Sequence, residues 1–190
     1  GAGRPYHDAL DVAVETASVV VEACWDADLR TGLLLFADGP RRYVPPGRGP
    51  DHQFTLTRAL TTAQLDPAPF QLDAALAYLL GRLTRSTNIL GFTALGGDIG
   101  RSAEVIGWLR AKGTRAYLFT PDSSQMYPPL PRPLDERILR AVLDPEARRA
   151  DRDLARVRQA GIPVATYGRE GALDQVGFLL SRFGAGRAAY

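Results

Sequence analysis

A glycine-rich segment at residues 96–101 has the residue types of an anion-binding turn. Gly96, Gly97 and Gly100 surround Asp98, and the segment leads from an apolar run into an amphipathic one. Glycines at the start of a helix let backbone N–H groups approach a phosphate or a carboxylate. The segment lacks the Gly-Lys-Ser/Thr of a P-loop and the spacing of a dinucleotide fingerprint. Binding of a nucleotide or small molecule is one hypothesis. A tight turn in which Asp98 is an exposed turn residue or a helix cap is the other.

Hydrolytic chemistry is the third hypothesis, and it has little to support it in the sequence. The candidate nucleophiles, Ser123 and Ser124, lack the Gly-x-Ser-x-Gly context of a nucleophile elbow. A serine nucleophile needs a neighbouring base, and His7 and His52, the two histidines of the chain, have no evident partner. The lone Cys24 excludes an intrachain disulfide and a cysteine-based zinc site, and its apolar context predicts a small core side chain. We therefore expect no enzyme activity and no catalytic residue.

Two other segments could bind a partner protein. Met126 and Tyr127 lie in a Pro-rich stretch, which can dock a partner or pack down over the sheet. Further along, Asp151 and Asp153 alternate with arginines at 148, 149, 152 and 156. Such alternation predicts a solvated helix face, with a binding role as the alternative.

The composition describes an ordinary globular domain. The chain has 190 residues, 45% apolar and 23% charged, with a net charge of +2, so electrostatics give little support to nucleic-acid binding. Lys112 is the only lysine among 23 basic residues, which is explained by codon bias in a GC-rich genome or by a use of arginine for bidentate pairing. No apolar stretch reaches the roughly 18 residues that a membrane span needs.

Hydrophobic periodicity predicts alternating helices and strands. Continuous apolar runs are typical of strands buried on both faces, and such strands form parallel sheets covered by helices. The predicted sheet is mostly parallel and doubly wound, in an α/β, Rossmann-like domain that spans residues 1–190. The predicted strands are Thr31–Ala37, Arg41–Val44, Asn88–Ala94, Arg115–Thr120 and Pro163–Tyr167, and the predicted helices are 8–26, 54–65, 72–83, 134–143, 145–160 and 171–183. A further helix, with Val105, Ile106 and Leu109, is predicted to follow the Gly-rich loop and to end at Lys112-Gly113.

Short local similarities run from Asp8 to Thr120. They are DALDVA at 8–13, TGLLLF at 31–36, PPGRG at 45–49, LDAAL at 72–76 and NILGFT at 88–93. With these segments the chain resembles the von Willebrand factor A-like domains encoded beside MoxR-type AAA+ ATPases in bacteria, a family of unknown function. The similarity covers about two-thirds of the chain.

The resemblance implies a metal site, but the residues at its ligand positions differ in this sequence. In the superfamily an Asp-x-Ser-x-Ser run, a Thr and an Asp hold a divalent cation, and oxygen ligands of this kind suit Mg²⁺. The Thr position falls near residues 70–72, which contain no Thr, and the Asp position falls near Thr93. Asp73 and Asp98 are the remaining candidate ligands. We expect a degenerate site without a cofactor, unless a segment before residue 1 supplies the Asp-x-Ser-x-Ser run and restores Mg²⁺.

The resemblance also implies that the first strand is missing, because the chain begins after the place where it would lie. We expect the sequence to be a piece of a longer protein whose preceding segment completes the sheet, the rival being a four-stranded sheet that closes without it. The implied function is a non-enzymatic protein–protein interaction module, the cytoplasmic domain of a membrane-anchored protein. Its implied partner is a MoxR-type AAA+ ATPase that acts in protein assembly or maturation.

Overall fold

In the computed structural model, the described residues are 9–64, 71–83, 86–93, 98–121, 148, 151–167 and 177. They form a mixed α/β structure, which confirms the α/β character that the sequence predicts. Its elements are α1 (Ala9–Asp26), β1 (Thr31–Phe36), β2 (Pro40–Gly47), α2 (Pro50–Thr61), α3 (Leu72–Leu80), β3 (Asn88–Phe92), α4 (Ile99–Ala111), β4 (Arg115–Pro121), α5 (residues 151–159) and β5 (Val164–Tyr167). In this part of the chain no helix is long and apolar enough to cross a membrane.

The strands form two separate sheets and not one. Among the described residues β1 pairs with β2, and β3, β4 and β5 form a sheet in that order. The described strands therefore do not form the rival arrangement, a four-stranded sheet that closes without the missing strand. Contacts divide the chain into two compact units, Gly1–Leu35 with Arg41–Asp66 and Tyr167–Tyr190, and Phe36–Pro40 with Pro67–Thr166.

The first unit contains α1, α2 and most of the β1–β2 hairpin. Its core consists of the buried residues Val21, Val44, Leu56, Ala59 and Leu60. We predicted that β1 is buried on both faces, and this was wrong. Its residues are half-buried or exposed, and in the described part of the chain β2 is the one strand beside it.

Gly32 fixes how closely the two strands of the hairpin approach. A Cβ at this position would lie 2.8 Å from the carbonyl oxygen of Val44 and 2.9 Å from the nitrogen of Pro46. Both atoms belong to the backbone, so neither can rotate away as a side chain could. Glycine is therefore a steric requirement at residue 32.

The second unit is built on the β3–β4–β5 sheet. β3 and β4 are parallel, with Asn88 opposite Arg115 and Phe92 opposite Phe119. The rings of Phe92 and Phe119 stack with their centroids 5.2 Å apart. The core beneath is the cluster of ten buried residues Leu72, Leu76, Ile89, Val105, Ile106, Leu109, Ala116, Leu118, Val157 and Ile162. It contains the apolar positions of the helices that periodicity predicted.

Several predicted boundaries are confirmed and others shift. α4 ends as expected before Gly113, whose φ of 77° is in the left-handed region. α2 begins at Pro50 instead of Phe54, because proline is well suited to the first turn of a helix. The predicted helices 134–143 and 171–183 and the Pro-rich segment with Met126 and Tyr127 lie outside the described residues, apart from the helical residue 177.

Candidate functional site

The N-terminal turns of α3 and α4 bring together the two carboxylates that the sequence singled out. Asp73 is in the first turn of α3, and Asp98 is the N-cap of α4. Arg101, in the first turn of α4, contacts both. Its Nε lies 3.7 Å from Oδ2 of Asp73, and its backbone N–H donates to Oδ1 of Asp98 at 3.0 Å. This group of three residues is the candidate site, and we call it the Asp–Arg–Asp cluster.

The side chain of Asp73 faces a positive charge that is part of the protein. Asp73 is 16% exposed, whereas Arg101 is 67% exposed, so the carboxylate lies under the guanidinium. Because a cation already accompanies Asp73, a metal ion there would first have to displace Arg101 or share the carboxylate with it. The ion pair is partly exposed, so we expect it to contribute at most about 1 kcal/mol to stability.

Asp98 has the geometry of a helix cap. Besides the bond from the Arg101 N–H, its carbonyl oxygen accepts the backbone N–H and the hydroxyl of Ser102, both at 2.9 Å. Gly100 makes room for this arrangement, since a Cβ there would lie 3.3 Å from Oδ1 of Asp98. The carboxylate thus satisfies one of the N–H groups left unpaired at the start of α4.

This cap bears on the anion-binding hypothesis. An anion at a helix N-terminus is stabilised by unpaired N–H groups and by the helix dipole. At α4 the carboxylate of Asp98 already accepts a hydrogen bond from one of these N–H groups and interacts with the helix dipole. Its negative charge also repels a second anion. Gly100 lies in this turn, while Gly96 and Gly97, the other glycines of the predicted loop, lie outside the described residues.

His52, the histidine among the described residues, makes a structural hydrogen bond. Nε2 of His52 lies 2.7 Å from the carbonyl oxygen of Thr31, so this nitrogen carries a proton and donates to it. The ring packs against Gly47, where a Cβ would come within 2.8 Å of it. His52 thereby ties α2 to the hairpin. Its Nε2 is occupied by a backbone carbonyl, which leaves the hydrolase hypothesis without support from this residue. His7, Ser123 and Ser124 lie outside the described residues.

Cys24 is half-buried on α1, in surroundings that disfavour its thiolate form. Burial raises the pKa of this thiol, and a hydrogen bond with the side chain of Thr31 partly offsets the increase. A raised pKa lowers the thiolate fraction at neutral pH, and the thiolate is the nucleophilic form. In the described ranges no group of three or more His, Cys, Asp or Glu side chains could hold a metal ion.

Sequence reasoning missed a small cavity in the first unit. It has a volume of about 150 Å³ and is lined by Trp25, Leu29, Arg48, His52 and Leu56 among others. Arg48 pairs with Asp28 at 2.9 Å, so its charge is already compensated. The volume is well below the roughly 300 Å³ at which small-molecule pockets begin. The only signal in the sequence was the Gly-Arg-Gly run before α2.

Sequence reasoning also missed an exposed aromatic surface on α4. We call it the α4 outer face, and its exposed residues are Arg101, Glu104, Gly107, Trp108 and Ala111. Trp108 is 58% exposed, although the helix buries Val105, Ile106 and Leu109 in the core. The spacing of three and seven residues places Arg101, Glu104 and Trp108 on one side of the helix. The helical spacing of these residues is visible in the sequence. Whether this side of the helix faces solvent depends on where the sheet lies.

No protein-family model and no curated protein matches the chain.

Proposed function

We propose that the chain is a non-enzymatic protein-interaction module of the von Willebrand factor A type with a degenerate metal site. The observation that carries the proposal is the contact of Arg101 with Asp73. Arg101 is an ion-pair partner of Asp73, the candidate metal ligand on α3. The other candidate, Asp98, accepts hydrogen bonds as a helix cap. Both carboxylates therefore have structural partners, and neither needs a metal ion.

The α4 outer face supplies the surface for a protein partner. Trp108 is a large aromatic side chain exposed beside charged residues of both signs, Arg101 and Glu104. Tryptophan and arginine are enriched among the residues that dominate binding energy at protein interfaces. The neighbouring Gly107 has no atom within 4 Å of the position of a Cβ, so a partner could approach the indole ring closely.

The partner that we propose is a MoxR-type AAA+ ATPase, and the process is the assembly or maturation of other proteins. Support for this part comes from the sequence resemblance alone, which is an argument by analogy. The same resemblance favours a cytoplasmic domain of a membrane-anchored protein.

Direct binding between purified proteins tests the proposal. The 190-residue chain is titrated against the MoxR-type ATPase of the same genome, with Trp108→Ala as the variant. Loss of a dominant aromatic contact costs on the order of 2 kcal/mol, or about thirtyfold in Kd. Phe54→Ala is the matched control, because Phe54 is exposed to 67% on α2. If no ATPase of this class binds the wild-type chain, the partner is wrong; if both variants weaken binding equally, the surface is wrong.

Calorimetry separates this proposal from nucleotide binding. We expect no heat of binding for ATP with Mg²⁺, because Asp98 places a negative charge at the N-terminus of α4. A micromolar signal that disappears in Gly97→Val would favour a nucleotide or small-molecule binder and would count against the interaction module.

A further inference from the structure

The cavity in the first unit reaches into the hydrophobic core of that unit. Val21 and Leu56 line it, and both belong to the core cluster, with exposed fractions of 7% and 2%. Leu29 and Trp25 add to the apolar lining. Its volume of about 150 Å³ is similar to that of apolar cavities that hold one benzene molecule. The cavity is therefore too small for a drug-sized ligand but large enough for a single ring.

Trp25 favours an aromatic occupant. It is 38% exposed, although a side chain of this size contributes most to stability when it is buried. The cavity is partly open to solvent, so a ligand that enters covers exposed surface of the indole ring. Aromatic rings also attract each other in offset-stacked and edge-to-face geometries, beyond the effect of the area that they bury. A flat aromatic ring therefore gains more here than a saturated group of the same size.

The mouth of the cavity is held by an ion pair whose aspartate has an uncommon backbone conformation. Among the described residues, Asp28 is the one non-glycine residue with a positive φ, which is 51°. Its N–H donates to the carbonyl oxygen of Trp25 at 2.9 Å, at a position after α1 where helices usually have glycine. Aspartate in this conformation is strained where glycine is not. Its carboxylate, however, reaches Arg48 at 2.9 Å, and the pair fixes two residues that line the cavity.

The same ion pair determines which charge a ligand can carry. The side chains of Arg48 and Asp28 are 44% and 80% exposed, and they neutralise each other at the mouth. A charged ligand would lose hydration in the apolar interior without gaining an unpaired opposite charge from these two residues. Gln53 is half-buried in the lining, and its amide can form a hydrogen bond with a hydroxyl group on the ligand. The lining thus suits a neutral ring, with or without a hydroxyl group.

We propose that this cavity binds one neutral aromatic ring of the size of benzene, which belongs either to a free small molecule or to a side chain of another protein. The residues that line the cavity belong to the first unit, whereas the α4 outer face belongs to the second. The inference therefore goes beyond the proposed function and does not depend on it.

NMR of the full chain tests the inference with three matched ligands. Benzyl alcohol is the probe, benzoate is its charged counterpart, and cyclohexylmethanol is its saturated counterpart. We expect benzyl alcohol to shift the indole N–H signal of Trp25 until saturation, with a Kd on the order of 1 mM, because so small a ligand makes few contacts. The signal of Trp108, the other tryptophan, should not move, since this residue does not line the cavity. Benzoate should bind at least about tenfold more weakly than benzyl alcohol, and cyclohexylmethanol about threefold more weakly.

A variant that fills the cavity is compared with a matched control. Leu29→Phe enlarges a side chain that lines the cavity, and it should weaken binding of benzyl alcohol at least about tenfold. Leu33→Phe makes the same change at a half-buried leucine that packs against the core of the same unit but does not line the cavity, so the Kd should stay the same. Thermal melts show whether each variant folds. If Leu29→Phe does not melt cooperatively, Gln53→Phe takes its place as the filling variant.

A fourth ligand, N-acetylphenylalaninamide, distinguishes the two sources of the ring. If it binds as tightly as benzyl alcohol, the ring is a side chain of another protein; if only benzyl alcohol binds, the ring is that of a free small molecule. Both results support the site. The inference is overturned if no aromatic ligand approaches saturation up to about 10 mM, or if the two indole signals shift alike. Benzoate that binds as tightly as benzyl alcohol, or equal loss of binding in Leu29→Phe and Leu33→Phe, also overturns it.

Discussion

The carboxylate of Asp98 and the backbone N–H of Arg101 are joined by a hydrogen bond of 3.0 Å, which begins α4. The same arginine extends its guanidinium to Asp73 on α3. The backbone N–H of Arg101 is thus capped by Asp98, while its side chain contacts the neighbouring helix α3. Because the two contacts use different atoms of Arg101, substitutions can separate them.

Removing the cap should lower the stability of the chain. We expect Asp98→Ala to reduce the free energy of unfolding by about 1 kcal/mol, because the N–H of Arg101 loses its acceptor. Asp98→Asn keeps an oxygen at this place and should lose much less. Urea denaturation of the three proteins measures the difference. Equal stability of Asp98→Ala and wild type would show that the cap is not important.

Mg²⁺ should leave the melting temperature unchanged. A ligand that binds only the folded state raises stability by RT ln(1 + [L]/Kd), and Arg101 already accompanies Asp73, so we expect no measurable binding. Thermal melts with and without millimolar Mg²⁺ check this. A rise in Tm that disappears in Asp73→Asn would mean that this carboxylate holds a metal after all.

Two glycines of the second unit should respond to alanine in opposite directions. A Cβ at Gly91 would lie 2.9 Å from Cδ2 of Leu118, a fully buried side chain, whereas a Cβ at Gly107 meets nothing within 4 Å. We expect Gly91→Ala to cost about 1–3 kcal/mol through overpacking. Gly107→Ala should add about 0.5–1 kcal/mol, since alanine is a better helix former. Denaturant midpoints that move in the same direction in both variants would contradict the described packing.

The Cys24 thiol should make stability fall at alkaline pH. Burial raises its pKa in the folded chain, so the folded state keeps the proton at a pH where the unfolded chain has lost it. The resulting stabilisation is complete below the ordinary thiol pKa of about 8.5 and decreases as pH rises through the higher, folded value. Cys24→Ala should therefore flatten the alkaline part of the stability curve. Unfolding measured between pH 7 and pH 10 tests this, and identical slopes for both proteins would refute it.

Local pattern predicted the elements of the second unit well. Apolar residues at helical spacing, such as Val105, Ile106 and Leu109, are in the core, and the apolar run of β4 is buried as expected. A helical period shows which residues share a face. Where there is one hydrophobic core, an apolar face of this kind packs against it. The same reasoning failed for β1, where burial depends on how many strands lie beside it.

The Asp–Arg–Asp cluster could be anticipated only in part. The sequence marked Asp73 and Asp98 as candidates and allowed Asp98 to be a cap, which it is. The position of Arg101 next to Asp73 depends on how α3 packs against α4, and no local pattern reports such a distance. The same is true of the hydrogen bond from His52 to Thr31, which joins residues 21 positions apart.

The closeness of the hairpin strands at Gly32 has a consequence for folding fidelity. A shift of one residue along the hairpin would bring Thr31 or Leu33 to the point where the backbone of Val44 leaves no space for a Cβ. A slip that places either residue there is therefore opposed by a steric clash, in addition to the burial of Val44 in the core of the first unit. Gly32 thus acts together with this packing to favour the observed alignment of the two strands.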